Sequence, residues 1–253
     1  MIVDHPEFVP PEDDEIKIWK YMDFTKLISL LETGCLFFSR ADSFDDPFEG
    51  SYPRNNVEFR KSVLKELDEE SKEHFLKVIN NRKDTNKYWP KYTAISCWHM
   101  NEFESAAMWS LYLKSDEGIA IQSSYNKLKK SIIDDEEVYL GVVKYIDYNS
   151  YYIKDNNILT PFVHKRKSFE HESELRALML KMPFSSGEID FKKETIKKGG
   201  GVPIKVNIKE LIDKIYVAPN APIWFSELVD KTVKRYGYDI EVLPSDINNP
   251  PMF

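Results

Sequence analysis

The sequence predicts an α+β fold, with a mixed or antiparallel central sheet, flanking helices and a strand–helix–strand opening. Two observations carry this reading. Residues 16–39 form a compact strand–helix–strand pattern, and strand-like and helix-like runs then intermingle to the end of the chain. No internal repeat, linker or break in composition divides them, so 16–253 is expected to be one α+β domain.

The run IKIWKYM (16–22) alternates like a strand. Asp23 offers an N-cap to FTKLISLLET, where Leu27, Leu30 and Leu31 recur at helical spacing. Gly34 is a stop signal, and CLFFS (35–39) is a second strand. Ahead of this unit, residues 1–15 read as an extended arm, because Pro6, Pro10 and Pro11 forbid helix and the charges oppose burial.

Residues 40–53 are a loop dense in Asp, Pro and Gly, and 54–83 carry apolar residues spaced for one or two amphipathic helices. YTAISCW (92–98) is strand-like. Asn101 and Glu104 form a capping box for a helix over ESAAMWSLYL. GIAIQSS from Gly118 is a strand, and VYLGVVKYIDY (138–148) a long one. Residues 150–172 read as mostly helical or irregular, and ELRALML (174–180) as strand. GVPIKVN (201–207) and KIYVAP (214–219) are short strands, and the helix SELVDKTVKRYG and the strand DIEVLP close the chain.

Composition narrows the function classes. With 42% hydrophobic residues, including 5 Trp, 14 Tyr and 15 Phe, the 253-residue chain can build a real core, which excludes disorder. Lys plus Arg is 35 and Asp plus Glu is 42, a net charge of −7 that argues against a general DNA or anionic-membrane binder. No apolar run approaches the roughly 20 residues that span a bilayer. The amino terminus lacks the basic start and apolar stretch of a signal peptide. Cys35 and Cys97 have no CxxC partner, so a disulfide framework and a zinc ribbon are excluded and a reducing, cytoplasmic setting is expected. The five histidines are scattered, and no metal site is expected. GxGxxG, P-loop, GxSxG, HExxH and kinase motifs are absent.

Three clusters carry candidate chemistry. Phe44-Asp45-Asp46-Pro47-Phe48-Glu49-Gly50 sets three carboxylates beside two aromatics, fit for a cation or for a substrate amine or hydroxyl. Asp46 before Pro47 reads more readily as the cap of a rigid turn, as Asx residues in loops more often are. Trp109 and Tyr112 share a helical face and could stack on a planar ring, although such a face is more often core. In KRKSFEHESELR (165–176), Glu170, Glu172 and Glu174 alternate, so extended backbone would put all three on one side with Arg176. Crowded carboxylates raise one another's proton affinity, as a general base or a cation-stabilising group requires. Arg40, Arg166 or Arg176 could hold a phosphate by bidentate contact.

The order IWKYMD, LFFSRADSFDDPFEG, AISCW, AAMWSLY, GIAIQSS and KSFEHESELRAL, spanning 16–180, resembles a bacterial family known as domain of unknown function 2971. The family implies no activity. A broader resemblance, to ADP-ribosyltransferases, rests on the strand–helix–strand start, a Ser-containing strand and a late ExE before another strand. It implies NAD as the cofactor, gripped by Lys20 or Tyr21 and supported by Ser96, with Glu172 or Glu174 stabilising a ribosyl cation. The resulting expectation is a cytoplasmic nucleotide-binding protein that performs NAD-dependent ADP-ribosyl transfer or glycosidic cleavage in stress, toxin or phage defence. Two other readings remain open. One is a non-catalytic sensor or protein-interaction module; the other is a nuclease holding magnesium through Asp45, Asp46, Glu49 and a late Glu.

Overall fold

The computed structural model describes residues 1–113, 116–154, 157–249 and 251. In chain order the elements begin with β1 (Lys17–Asp23), α1 (Phe24–Thr33), β2 (Cys35–Arg40), α2 (Arg54–Glu66), α3 (Glu69–Asn86) and α4 (Trp89–Tyr92). They continue with β3 (Thr93–Met100), α5 (Ala106–Tyr112), β4 (Gly118–Ser124), α6 (Tyr125–Ser131), β5 (Tyr139–Val142), β6 (Lys144–Ile146), β7 (His164–Arg166) and β8 (Glu174–Leu180). The last are β9 (Phe184–Ser185), β10 (Glu188–Ile189), β11 (Gly201–Lys205), α7 (Ile208–Leu211), β12 (Lys214–Val217), α8 (Ile223–Arg235) and β13 (Glu241–Pro244). The fold is α+β with a mixed sheet. Among the described residues nine strands join in it, all pairs being antiparallel except β12 with β13.

Helix α1 buries Leu27, Leu30 and Leu31 against the sheet and ends at Gly34, whose left-handed backbone (φ 63°) returns its N–H to the Leu30 carbonyl. Asp23 stands at the N-cap position without capping, and its carboxylate pairs with Lys26 instead. With α8, which contributes Phe225, Val229 and Val233, α1 covers one face of the sheet around Ile18, Ile119, Ile121 and Leu175. The opposite face is covered by two smaller clusters, around Ile95, Phe162 and Leu178 and around Trp19, Tyr21 and Trp109.

The register around β3 positions the site. One edge of β3 pairs with β8 from Thr93 to His99. On the other edge two strands share it: β2 meets only Ala94 and Ile95, and β1 only His99 and Met100. Between them Ser96, Cys97 and Trp98 have no ladder partner on that second edge, so the sheet is split where β1 and β2 diverge.

Four local expectations are corrected. The arm 1–15 is extended but docked: Val3 and Val142 donate to the carbonyls of Val138 and Val9, and Phe8 is buried in the second core. The arm extends the edge of β5, so backbone bonding offsets the cost of its charges. The long strand over 138–148 divides at Val143, whose N–H bonds the Glu174 carbonyl, and β6 then pairs in parallel with β7. The capping box at Asn101 does not form; α5 starts at Ser105, whose hydroxyl accepts from the Met108 N–H. Residues 167–172 coil into a 3₁₀ turn ended by Ser173 at φ 41°, which leaves Glu170 exposed while Glu174 is buried. Within 150–172, positions 155 and 156 lie outside the described residues.

Gly50 lets the acidic loop approach the 3₁₀ turn at Thr160–Val163. It has φ 68°, and a Cβ there would stand 2.4 Å from the Phe162 ring. Gly50→Ala combines left-handed strain with overpacking and is expected to cost about 2–4 kcal/mol. Urea unfolding measures it, and an unchanged midpoint would refute the close approach.

Candidate functional site

A cavity of about 660 Å³ occupies the split. Side chains from both faces of β3 line it, Cys97 and His99 from one and Trp98 from the other, because the gap opens through the sheet. Its walls come from β1, α1, β2, the acidic loop, α5 and the turn before β8. It therefore brings together residues far apart in sequence: Lys20 and Tyr21, then Asp45, Asp46 and Glu49, then Tyr112, then Glu172, Glu174 and Arg176.

Charged side chains pack deeply behind its acidic wall. The Arg176 guanidinium is 0% exposed and forks onto Glu49 at 2.6 and 2.9 Å. Its Nε donates to Glu174 at 2.6 Å and Nη1 to the Phe162 carbonyl at 2.7 Å. Lys165 donates to Glu174 at 2.6 Å and also to Glu172. Burial alone would raise the Glu174 carboxyl, but the charges of Arg176 and Lys165 and a hydrogen bond from Glu172 hold it well below the usual range. Burial, with the hydrogen bond and charge of Glu174, pushes Glu172 up to about 7. The two carboxyls thus divide their roles: Glu174 stays ionised, while Glu172 exchanges a proton near neutrality. The kink at Ser173 brings the pair together, in place of the extended backbone the alternating pattern suggested.

Lys20 lies across the gap. Its Nζ donates to the Ser96 hydroxyl and to the Cys97 carbonyl, both at 3.0 Å, and sits 5.4 Å from the centre of the Trp98 ring. Ser96 itself is buried and reaches the cavity only through Lys20. Burial lowers Lys20 to about 8, and raises the Cys97 thiol far above its ordinary range, which makes that thiol inert.

Tyr21 accepts a hydrogen bond from the Ser105 N–H, and Tyr112 stacks on it at 6.4 Å with 43% of its own surface exposed. Trp109 does not line the cavity: it is 2% exposed, sits edge-on to Tyr21, and donates its indole N–H to Glu104. Stacking by Trp109 on a ligand is therefore corrected to a role in the core beneath Tyr21. The expected phosphate grip by arginine is corrected as well. Arg40 is buried on Asp42, Glu194 and the Ile196 carbonyl, outside the cavity, and Arg176 is fully engaged. Arg166 pairs with Asp46 at 2.7 Å and lies over the Phe48 and Phe169 rings. Asp46 also accepts from the Phe48 N–H, forming the rigid turn, whereas Asp45 is exposed at the cavity wall.

His99 was not singled out as a ligand group by the sequence. Its Nδ1 lies 2.6 Å from the Glu172 carbonyl, which can only accept, so Nδ1 carries the hydrogen. Burial lowers its pKa, leaving a neutral ring whose Nε2 is a buried acceptor without a partner among the described residues. The Trp98 indole N–H is likewise buried and has no partner among the described residues. Both side chains line the cavity, and unpaired buried polar atoms are what a ligand would satisfy. Among the described residues no group of three or more His, Cys, Asp or Glu is arranged to hold a metal ion.

No protein-family model matches the chain, and no curated protein does. Among solved structures, the DarT of Thermus sp. 2.9 in complex with NAD+ is similar at 9% identity and a TM-score of 0.42, over 92% of this chain and 97% of that one. The same protein in complex with ADP-ribosylated single-stranded DNA gives 11% identity and 0.39, over 94% and 96%. Both are distant likenesses.

Proposed function

We propose that the cavity binds NAD and transfers its ADP-ribosyl group to an acceptor, or to water, with Glu172 as the acting carboxylate. The observation that supports this reading is the Glu172–Glu174 pair on one wall of a nucleotide-sized cavity. Nicotinamide departs from C1′ as a neutral base, taking the bond electrons, and needs no acid. What the transition state needs is fixed negative charge beside the ribosyl cation and a base for the acceptor's proton. Glu174 supplies the first, and ionised Glu172 the second. Tyr112 offers an exposed ring for stacking, and Lys26, whose side chain is 69% exposed, offers a cation to the pyrophosphate.

Thermal unfolding with NAD tests the binding step. NAD at a hundred times its Kd should stabilise the fold by about 2.7 kcal/mol, raising the midpoint by several degrees. Tyr112→Ala should reduce the shift, and no shift at millimolar NAD would contradict the reading. A non-catalytic sensor or interaction module is the second reading. It is favoured by the burial of Arg176, Glu49 and Glu174 as one ionic cluster, which could serve the fold alone.

A further inference from the structure

Lys20 occupies a position that strand periodicity reserves for the core. Side chains alternate along β1, so Lys20 shares its face with Ile18 and Met22, which are buried in the main hydrophobic cluster. A lysine there would ordinarily find a carboxylate. Instead its Nζ meets only the neutral Ser96 hydroxyl and Cys97 carbonyl, above the Trp98 ring, and among the described residues no carboxylate lies within salt-bridge distance. The gap in the sheet supplies both the room and the unpaired Cys97 carbonyl.

We propose that Lys20 is a reactive amine that captures an aldehyde or ketone in this cavity as an imine. The neutral amine has two hydrogens and one lone pair. Its two neutral acceptors can hold both hydrogens, which leaves the lone pair for a bound carbonyl carbon. Attack forms the C–N bond as the carbonyl π electrons move to oxygen. A proton passes from nitrogen to that oxygen, and protonated hydroxyl leaves as water. Overall, carbonyl plus lysine ammonium gives iminium plus water, with no oxidant or reductant. Glu172 lines the same cavity and exchanges a proton near neutrality, as the dehydration step requires. Burial, with a contribution from the neighbouring Lys26 charge, brings Lys20 to about 8. At pH 7 its neutral fraction then exceeds that of an amine at 10.5 roughly three-hundredfold. This activity stands apart from NAD chemistry and uses no step of it.

Reductive ethylation with acetaldehyde and sodium cyanoborohydride at pH 7, followed by peptide mapping, tests the assignment. Lys20 should be modified at least tenfold faster than Lys26, although Lys26 is the more exposed. Lys20→Arg keeps the charge and the donors, and should abolish modification at position 20 while the unfolding midpoint stays within a few degrees. Modification of Lys20 no faster than of Lys26 would overturn the proposal and leave Lys20 as a cap on the Cys97 carbonyl. Because acetaldehyde is no substrate of ADP-ribosyl transfer, this outcome is independent of whether NAD binds.

Discussion

Glu172→Gln is expected to lower the rate of nicotinamide release from NAD by about 10²- to 10⁴-fold, the range that removal of a general base produces. The substitution keeps an acceptor for Lys165 and leaves the Glu172 backbone carbonyl in place for His99. The loss should therefore fall on kcat, with the fold intact. Stability moves in a way that a bystander would not show. Glu172 is raised above the ordinary carboxylate value in the folded state, so its contribution is fully present below about 4.5 and is lost as pH rises through about 7. Glutamine carries no such dependence. The variant should gain stability relative to the parent between pH 5 and pH 8. A constant difference across that range would show that Glu172 titrates as it does in the unfolded chain.

Arg176→Met is expected to destabilise the fold by about 3–5 kcal/mol, since it strands the buried Glu49 carboxylate and leaves Glu174 with Lys165 as its one cation. Glu49 would then have to take up a proton or open the loop to water, so the loss should shrink as pH falls toward 4. Adding Glu49→Gln to Arg176→Met should recover part of the loss, because it removes one stranded charge. Urea unfolding of the two variants measures both effects. A cost below about 1 kcal/mol would mean that the cluster is solvated.

The opening unit was legible because its signals are local: the spacing of Leu27, Leu30 and Leu31 and the stop at Gly34 need nothing from the rest of the chain. Strands β3, β4 and β8 were legible for the same reason, as short apolar runs with strand composition. The alternating acids at 170, 172 and 174 misled because alternation signals a strand only when the intervening residues have a face to bury. His171 stays exposed and Phe169 is only half-buried, beneath Lys165 and Arg166, and the segment coils. Trp109 and Tyr112 share a helical face, but the face alone does not say which ring is covered; Tyr21 and Glu104 decide it. Arg40 and Arg176 were credited with ligand roles because a sequence shows charge and not the partner that consumes it. The split of the sheet was invisible for a deeper reason: it depends on how β1 and β2 divide one edge of β3, a register set by tertiary packing. One mark of it was nonetheless present, a lysine on the apolar side of IKIWKYM.

The central claim is that Glu172 acts as a base in NAD cleavage, and the pH dependence of nicotinamide release tests it most directly. The rate at saturating NAD should rise through an inflection near pH 7, as Glu172 loses its proton, and the inflection should vanish in Glu172→Gln. Absence of nicotinamide release at every pH, or a rate that falls as Glu172 ionises, would contradict it.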